Sequence, residues 1–293
     1  MPLALLVNPS SAGGKTLKLL PRVESVFDAH RVDFRVQRTK GLEHGVEHAL
    51  RAIDAGEVPV VMSGDGLVGA VGGAMAGAEV PLGIIPGGRG NDLCRVLGIP
   101  DEPEAAAEVV LAGHSRRIDV GEANGKRFLG IVSVGFDSEA SRRANEARFL
   151  PGNLVYVYAA FATLLRWKPA GFTIRIDDER TRISGYSVSV ANSKAYGGGM
   201  FIAPDAELDD GQFDIVAVGD AGKLRFVANL PKVFKGTHIE EEQVKVLRAS
   251  HLELSASKPF PVYADGEHLT ELPTTLKVLP RALDVLVPAR SEP

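Results

Sequence analysis

VPVVMSGDGLVG, at residues 58–69, decides the fold of the first half of the chain. Its first five residues form an apolar run, and a glycine-rich turn follows at once, as at the carboxyl end of a buried parallel strand. Similar apolar runs alternate with amphipathic stretches through this part of the chain, which predicts βαβ units and a parallel sheet. The other predicted strands are 3–7, 32–36 and 82–85, and the predicted helices are 15–30, 43–55 and 67–77.

The pattern changes from Ile118 onward. Residues 116–136 are predicted to form a hairpin with Asn124-Gly125 at its turn, a pair typical of two-residue hairpin turns. Short segments of alternating polar and apolar residues then follow one another, which predicts an antiparallel, β-rich second domain. The domain boundary is expected near residues 115–120. The closing strand LDVLVPA, at 283–289, could pair with either domain.

The composition of the 293-residue chain is that of an ordinary globular protein, with a formal net charge of −4. This balance provides no overall basic field, so neither nucleic acid nor an anionic membrane is expected to bind by charge. The single cysteine, Cys94, excludes an intramolecular disulfide and fits a cytoplasmic location. The apolar N-terminus lacks the basic segment and the cleavage site of a signal peptide, and we interpret it as a buried strand.

Residues 149–167 are nearly all apolar and raise the question of a membrane span. A spanning helix requires about 20 apolar residues, and Pro151, Gly152 and Asn153 make this stretch shorter than that. We interpret it as a core helix that begins near Asn153. The alternative is that part of it lines the opening for a lipid tail.

Three glycine-rich turns each follow a predicted strand, where parallel α/β sheets bind their ligands. The first, residues 8–16, is no Walker A loop, because Pro9 stands where that motif has glycine, but it can place a helix N-terminus at a phosphate. The second, residues 63–69, matches GxGxxG. A Rossmann dinucleotide site is disfavoured there because Asp65 would stand beside a pyrophosphate. The third, residues 86–93, has three glycines that free the backbone to approach a ligand.

Several specific motifs occur along nearly the whole chain. They are Asn8-Pro9-Ser10, Ser63 to Gly66, Pro81 to Asp92 (PLGIIPGGRGND), Gly135-Phe136, Ala203-Pro204, Leu208 to Gly211 and Asp265 to Glu267. In this order they resemble the diacylglycerol kinase catalytic family, which includes bacterial lipid kinases and sphingosine kinases. The resemblance implies an N-terminal α/β nucleotide-binding domain with a parallel sheet (1–118) and an antiparallel β-sandwich domain that binds lipid (119–282). It also implies that the last strand, at about 283–293, rejoins the first domain, and that ATP binds in the cleft between the domains.

The resemblance further implies site residues, position by position. The nucleotide contacts would be Asn8, Pro9, Ser10, Ser11, Ala12, Thr39, Gly64, Asp65, Gly66, Leu67, Val68, Gly69, Ala70, Gly88, Arg89, Gly90 and Asn91, with Arg142 and Arg148 at the phosphates. The catalytic carboxylates would be Asp265, Glu267 and Asp65. A structural Mg²⁺ site would use the side chain of Asp210 and backbone oxygens of Glu207 and Gln212.

Some positions depart from the common family pattern. Leu67 replaces a threonine, Gly69 and Ala70 replace an Asn-Glu pair, and Arg89 replaces a threonine or serine of the third turn. These changes bear on nucleotide affinity more than on the fold. They leave open a catalytically weak regulator that binds lipid or nucleotide.

The function predicted from these residues is an ATP-dependent lipid kinase that transfers the γ-phosphoryl group to the hydroxyl of diacylglycerol or a similar lipid. The alternatives are a sphingosine-like or other lipid acceptor, the weak regulator, and a kinase for a soluble substrate in the manner of NAD kinases. The general base stays open between Asp265 and Glu267, while Asp65 is expected to engage Mg²⁺ or water. We expect ATP and Mg²⁺ as cofactors, no nucleic-acid partner, and transient peripheral binding of a cytoplasmic protein to a membrane. A homodimer is also compatible with the sequence.

Overall fold

The computed structural model describes residues 1–146 and 154–289, and its first part is built on a parallel sheet. The strands of this sheet are β1 (Leu3–Val7), β2 (Phe34–Arg38), β3 (Val58–Ser63) and β4 (Gly83–Pro86). They pair in parallel, as predicted, and their order in the sheet is β2-β1-β3-β4. Both β1 and β3 are buried along their whole length, which explains why their sequences are unbroken apolar runs.

Helices connect these strands and lead to the second domain. They are α1 (Lys15–Ala29), α2 (Leu42–Asp54), α3 (Asp65–Ala74), α4 (Asp92–Leu97) and α5 (Pro103–Ala112). One face of α1 buries Leu20, Val23 and Phe27 in the core, at helical spacing. The helix α3 begins at Asp65, two residues earlier than predicted, because the extended residue Gly64 leads directly into it. The second glycine-rich turn and the N-terminus of α3 are therefore a single structure.

The second strand begins at Phe34, later than the predicted residue 32. The preceding helix ends in a tight turn in which Arg31 has a left-handed φ of 54°. The N–H of Val32 still donates to the carbonyl oxygen of Phe27, at 3.0 Å. This turn closes the end of α1 and delays the start of the strand.

The second part of the chain is an antiparallel, sandwich-like arrangement of strands, as predicted. The strands are β5 (Ser115–Ala123), β6 (Lys126–Phe128), β7 (Ile131–Gly135), β8 (Ala170–Ile176), β9 (Glu179–Ala191), β10 (Phe213–Gly219), β11 (Val244–Ala249), β12 (His251–Ala256), β13 (Pro261–Ala264), β14 (Glu267–Glu271) and β15 (Thr274–Leu286). The helices are α6 (Phe136–Glu146), α7 (Leu154–Arg166) and α8 (Lys223–Lys235). The core includes Phe172, Tyr186, Phe213 and Phe260, all of them buried.

The helix expected near Asn153 is α7, although Asn153 itself lies outside the described residues. Only one face of this helix belongs to the core. Ala159 and Leu164 are buried, whereas Phe161 and Leu165 are each 62% exposed. Within the described ranges, no helix has both the length and the apolar character needed to cross a bilayer.

The last strand contacts both parts of the fold. β15 pairs with β5 in the second sheet, and its end also reaches the residues beside β4. The N–H of Leu286 donates to the carbonyl oxygen of Leu82 (2.9 Å), and the N–H of Leu82 donates to that of Asp284 (2.8 Å). The division into 1–118, 119–282 and a returning segment from about 283 stays a prediction.

Candidate active site

The turn after β1 is joined to the turn after β4. Asn8 Oδ1 accepts hydrogen bonds from the N–H (3.1 Å) and the hydroxyl (2.8 Å) of Ser10, which hold the first turn in shape. The hydroxyls of Ser11 and Thr16 both donate to the carbonyl oxygen of Gly87, at 2.7 and 2.9 Å. The first and third glycine-rich turns are therefore neighbours at one edge of the parallel sheet.

The second and third turns pack backbone against backbone. A Cβ atom placed on Gly88 would lie 2.4 Å from the Cα of Gly64, and one placed on Gly64 would lie 3.0 Å from the Cα of Gly88. Glycine is needed at both positions for this close approach. The N–H of Gly88 also donates to Asn91 Oδ1 at 2.8 Å, which orders the third turn.

A cavity of about 230 Å³ lies beside the third turn, lined by that turn and by Lys15, Arg89 and Arg95. Arg95 donates to Asp92 at 2.9 Å. Lys15 and Arg89 form no ion pair with any residue that the structure describes. The lining also includes Asp101, so Lys15 and Arg89 leave a net positive charge next to the glycine-rich turn, and this charge suits a phosphate group.

Asp65 is the first residue of α3 and faces the third turn. Its Oδ1 accepts the N–H of Leu93 at 3.4 Å. Burial raises the pKa of this carboxyl, and the negative charge of Asp92 raises it further. The site thus holds two acidic side chains close enough to influence each other.

Asp92 belongs to the site, although the sequence motifs alone did not identify it as a functional residue. Its carboxylate accepts the N–H groups of Gly198 and Gly199, both at 2.8 Å. Those glycines come from the second domain, so Asp92 joins the two domains at the third turn. The sequence feature that could have indicated this contact is the run Gly197-Gly198-Gly199. In the structure all three of these glycines have positive φ values, and successive N–H groups in such a run can converge on an anion.

Asp265 lies in the turn between β13 and β14, and its carboxylate is held by backbone donors. Oδ2 accepts the N–H groups of Leu129 and Gly130, both at 3.2 Å, and Oδ1 accepts that of Ile131 at 3.1 Å. Burial nevertheless raises the pKa of Asp265 to about 6, because the loss of hydration outweighs these bonds and because Asp65 adds negative charge. The carboxyl is thus fixed in position and close to its titration point near neutral pH.

Glu267, at the start of β14, lies against the helix α3. A Cβ atom placed on Gly66 would lie 3.2 Å from Oε1 of Glu267, and one placed on Gly69 would lie 3.0 Å from Oδ2 of Asp265. Partial burial raises the pKa of Glu267. Both carboxylates of the second domain therefore lie against the first half of α3, which begins with Asp65.

The reason why both acids face α3 differs from the one expected. The sequence predicts an extended stretch in which residues two apart point to the same side. Asp265 and Gly266 instead have left-handed φ values of 51° and 86°, so they form a turn. This turn, and not strand alternation, aims the two carboxylates at the helix.

Other residues predicted at the nucleotide lie deeper in the fold. Thr39, Leu67 and Val68 are each 3% exposed. The Thr39 hydroxyl bonds to the carbonyl oxygen of Val7, and the Leu67 side chain packs over Gly45. In this structure their side chains face the core. Their predicted contacts with nucleotide stay predictions.

Of the two arginines predicted at the phosphates, only Arg142 lies within the described residues. Arg142, on α6, donates to Glu139 at 2.8 Å and takes part in a further interaction. Arg148 lies outside the described residues. Their role as phosphate ligands stays a prediction.

The turn predicted to bind Mg²⁺ has suitable oxygen donors, but its carboxylates are engaged by cations of the protein. Asp210 forms an ion pair with Arg248, and Gln212 donates its N–H to Asp210 Oδ1 at 3.0 Å. Glu207 pairs with Lys194 at 3.0 Å. No group of three or more His, Cys, Asp or Glu side chains suited to a metal occurs in residues 1–146 or 154–289. Mg²⁺ would have to compete with Arg248 for Asp210.

Known proteins resemble the chain over almost its full length. Residues 2–123 match the diacylglycerol kinase catalytic domain, and residues 130–287 match the YegS C-terminal NAD kinase beta sandwich-like domain. A diacylglycerol kinase of Mycobacterium tuberculosis is 35% identical over 294 residues, covering 97% of this chain and 94% of that protein. One of Bacillus subtilis is 30% identical over 248 residues, covering 83% and 80%.

A crystal structure of a diacylglycerol kinase from Bacillus anthracis str. Sterne has the same fold. Its TM-score is 0.72 at 22% identity, and the match covers 98% of this chain and 97% of that chain. The fold, the order of the two domains and the sequence relatives agree with one another. The chain belongs to the diacylglycerol kinase family, a family of lipid kinases.

Proposed function

We propose that the protein is an ATP-dependent lipid kinase that transfers the γ-phosphoryl group to the hydroxyl of diacylglycerol or a similar lipid, giving a phosphatidic-acid-like product. One observation carries the proposal. The second domain places the carboxylates of Asp265 and Glu267 against the start of α3, whose N-terminus lies between glycine-rich turns. Phosphoryl transfer needs this combination of a phosphate cradle and a nearby proton acceptor.

The phosphate groups of MgATP are proposed to bind at the glycine-rich turns. The close packing of Gly64 on Gly88 exposes backbone in place of side chains, and Lys15 and Arg89 provide positive charge beside it. These groups would stabilise charge that develops on the phosphoryl oxygens during transfer. Leu67 does not oppose this proposal, since its side chain packs over Gly45 in the core and away from the turn surface.

Asp265 is the proposed general base, and Glu267 is its rival. A carboxylate has about four acceptor positions, and backbone N–H groups occupy three of those on Asp265. One position on Oδ1 remains for the proton of the acceptor hydroxyl. Its pKa of about 6 leaves it ionised yet basic near neutral pH. The carboxylate of Glu267 is only partly buried and accepts no hydrogen bond from a described residue, so its position is less well fixed.

In the proposed reaction, the hydroxyl oxygen of the lipid bonds to the γ-phosphorus while the bond from that phosphorus to the bridging oxygen of ATP breaks. Asp265 takes the proton of the hydroxyl. The products are the phosphorylated lipid and ADP. Asp65, whose negative charge faces the phosphate turns, would bind the Mg²⁺ that accompanies ATP, or a water molecule.

The test is to incubate the protein with γ-labelled ATP, Mg²⁺ and a panel of acceptors, and then to extract the lipids. The proposal predicts label in the organic phase with diacylglycerol. Label that appears only with a sphingosine-like acceptor would identify that lipid, and not diacylglycerol, as the substrate. Label on NAD would point to a soluble-substrate kinase. ATP binding without transfer to any acceptor would favour the regulator.

A further inference from the structure

Two helices of the second domain expose most of the large apolar side chains that reach the surface. In the part of the chain that the structure describes, ten such side chains are exposed, and seven of them lie on α7 and α8. We call these seven residues the α7–α8 surface. They are Tyr158 (48% exposed), Phe161 (62%), Leu165 (62%), Leu224 (90%), Val227 (45%), Leu230 (40%) and Phe234 (55%).

The helix α8 is amphipathic but contains no buried residue. On its inner side, Phe226 stacks on Tyr186, with the ring centroids 4.2 Å apart. On its outer side, Leu224, Val227 and Phe234 recur at helical spacing and face away from the core. Monomeric proteins rarely expose a contiguous apolar stripe of this kind unless it meets a partner or a membrane.

The two helices meet, so their exposed residues form one surface. Lys223, the first residue of α8, donates from Nζ to the carbonyl oxygen of Leu165 near the end of α7, at 2.8 Å. This bond brings Leu165 close to the start of the α8 stripe. An interaction with this surface would therefore engage both helices.

The surface is connected to the proposed active site through secondary structure. The helix α7 packs on α6, and α6 packs on β13. The strand β13 ends at Ala264, directly before Asp265. One element of the surface, α7, is thus linked through α6 to the strand that leads into the turn of the proposed base.

The charges around α8 favour an apolar contact. Arg225 and Lys232 both pair with Glu241, which neutralises part of their charge. Lys223 and Lys235 remain at the two ends of the stripe. A stripe of leucine, valine and phenylalanine bordered by lysines is typical of a helix that lies in the interface of a bilayer.

We propose that the α7–α8 surface docks on a lipid bilayer, with its apolar side chains inserted among the lipids. The inference rests on the proposed function, because a diacylglycerol-type acceptor stays in the bilayer and the enzyme must bind there to reach it. The docking is reversible and mainly apolar. It presents the second domain, with Asp265, to the membrane surface.

The test uses a variant that carries both Leu224→Glu and Phe234→Glu, with Leu50→Glu as the matched control. Leu50 is 41% exposed on α2 of the first domain, so it undergoes the same chemical change away from the surface. Cosedimentation with phosphatidylcholine vesicles should fall by at least about tenfold for the double variant, since two apolar contacts become charged. The control should bind like the wild type. Binding of the wild type should change little between low and high salt.

Activity assays separate this inference from the proposed function. The double variant should lose transfer to diacylglycerol in vesicles but keep transfer to a short-chain, water-soluble diacylglycerol. If the wild type phosphorylates neither acceptor, the proposed function fails while the vesicle-binding result still stands. Unchanged vesicle binding by the double variant would overturn the docking surface. Analytical ultracentrifugation could also overturn it. This would be the case if the wild type were a dimer and the double variant a monomer that still binds vesicles as well as the wild type.

Discussion

The N–H of Gly130 donates to Oδ2 of Asp265 at 3.2 Å, and a Cβ atom placed on Gly130 would lie 2.1 Å from Oδ1 of the same carboxylate. The absence of a side chain at residue 130 thus allows the carboxylate to settle on the backbone of the turn before β7. Residues 130 and 265 are far apart in sequence, yet together they fix the position of the proposed base.

Gly130→Ala should therefore displace Asp265 and lower kcat, because the anchored carboxylate and a new methyl group cannot occupy the same space. A loss of about 10²-fold or more is expected for a misplaced base. ATP affinity, measured by calorimetry, should change little, since the three atoms nearest to a Cβ on Gly130 all belong to Asp265 and none to a glycine-rich turn. Gly41→Ala is the control, because a Cβ there meets no atom within 4 Å and its φ of 167° suits any residue. Equal kcat values for both variants would contradict this account.

The pH dependence of kcat/KM should show an acidic limb with an apparent pKa near 6. This parameter reports the free enzyme, and burial raises the pKa of Asp265 to about 6. The base works only when it is ionised, so activity is present above pH 6 and is lost as the pH falls through that value. Unfolding of the chain is a separate process. For this carboxyl the folded pKa lies above the unfolded one, so its protonation between about pH 4 and 6 favours the fold.

At pH 5.5, circular dichroism should accordingly show a folded chain, while the activity assay should show that most of the activity is lost. An acidic limb that coincides with unfolding, or a rate that is flat down to about pH 4.5, would argue against Asp265 as the base.

Asp92→Ala should lower the free energy of unfolding by about 1–3 kcal/mol, because the N–H groups of Gly198 and Gly199 lose a buried acceptor. Asp92→Asn keeps one acceptor oxygen and should cost less. Urea denaturation gives both values. Asp54→Ala, at an exposed position on α2, is the control and should change the free energy by no more than about 0.5 kcal/mol. If Asp92→Ala behaves like this control, Asp92 does not hold the glycine run.

Arg248 and Mg²⁺ should compete for the carboxylate of Asp210, if the predicted structural Mg²⁺ site exists. Arg248→Ala would then increase the rise in Tm that Mg²⁺ produces, and Asp210→Ala would abolish it. The Asp210–Arg248 ion pair alone is partly exposed and contributes at most about 1 kcal/mol. Differential scanning calorimetry with and without Mg²⁺ distinguishes the cases. An identical response to Mg²⁺ in the wild type, Arg248→Ala and Asp210→Ala would show that the predicted Mg²⁺ site does not exist.

Much of the fold follows from the sequence because its strongest patterns are local. Fully buried strands such as β1 and β3 have apolar runs that a single strand displays by itself, and the Asn124-Gly125 turn marks its hairpin directly. The turn after β3 could be placed at the carboxyl edge of the sheet for the same reason. These features depend on neighbours in sequence.

The rest depends on contacts between distant residues. The bond of Asp92 to Gly198 and Gly199 crosses from one domain to the other, and no spacing in the sequence indicates it. The left-handed turn at Asp265 is unusual for a non-glycine residue and is stabilised by backbone donors from 129–131. Periodicity showed that residues 149–167 are apolar, but not that one face of α7 stays uncovered.

The most direct test compares the kcat of Asp265→Asn and Glu267→Gln with that of the wild type, using labelled ATP and diacylglycerol. We predict a loss of about 10²–10⁴-fold for Asp265→Asn, the range expected for removal of a general base, and a smaller loss for Glu267→Gln. Both variants should bind ATP within a few-fold of the wild type. Asp65→Asn should instead change both kcat and the dependence on Mg²⁺ concentration. If both second-domain variants turn over normally while Asp65→Asn is inactive, the base is Asp65 and the central claim is wrong.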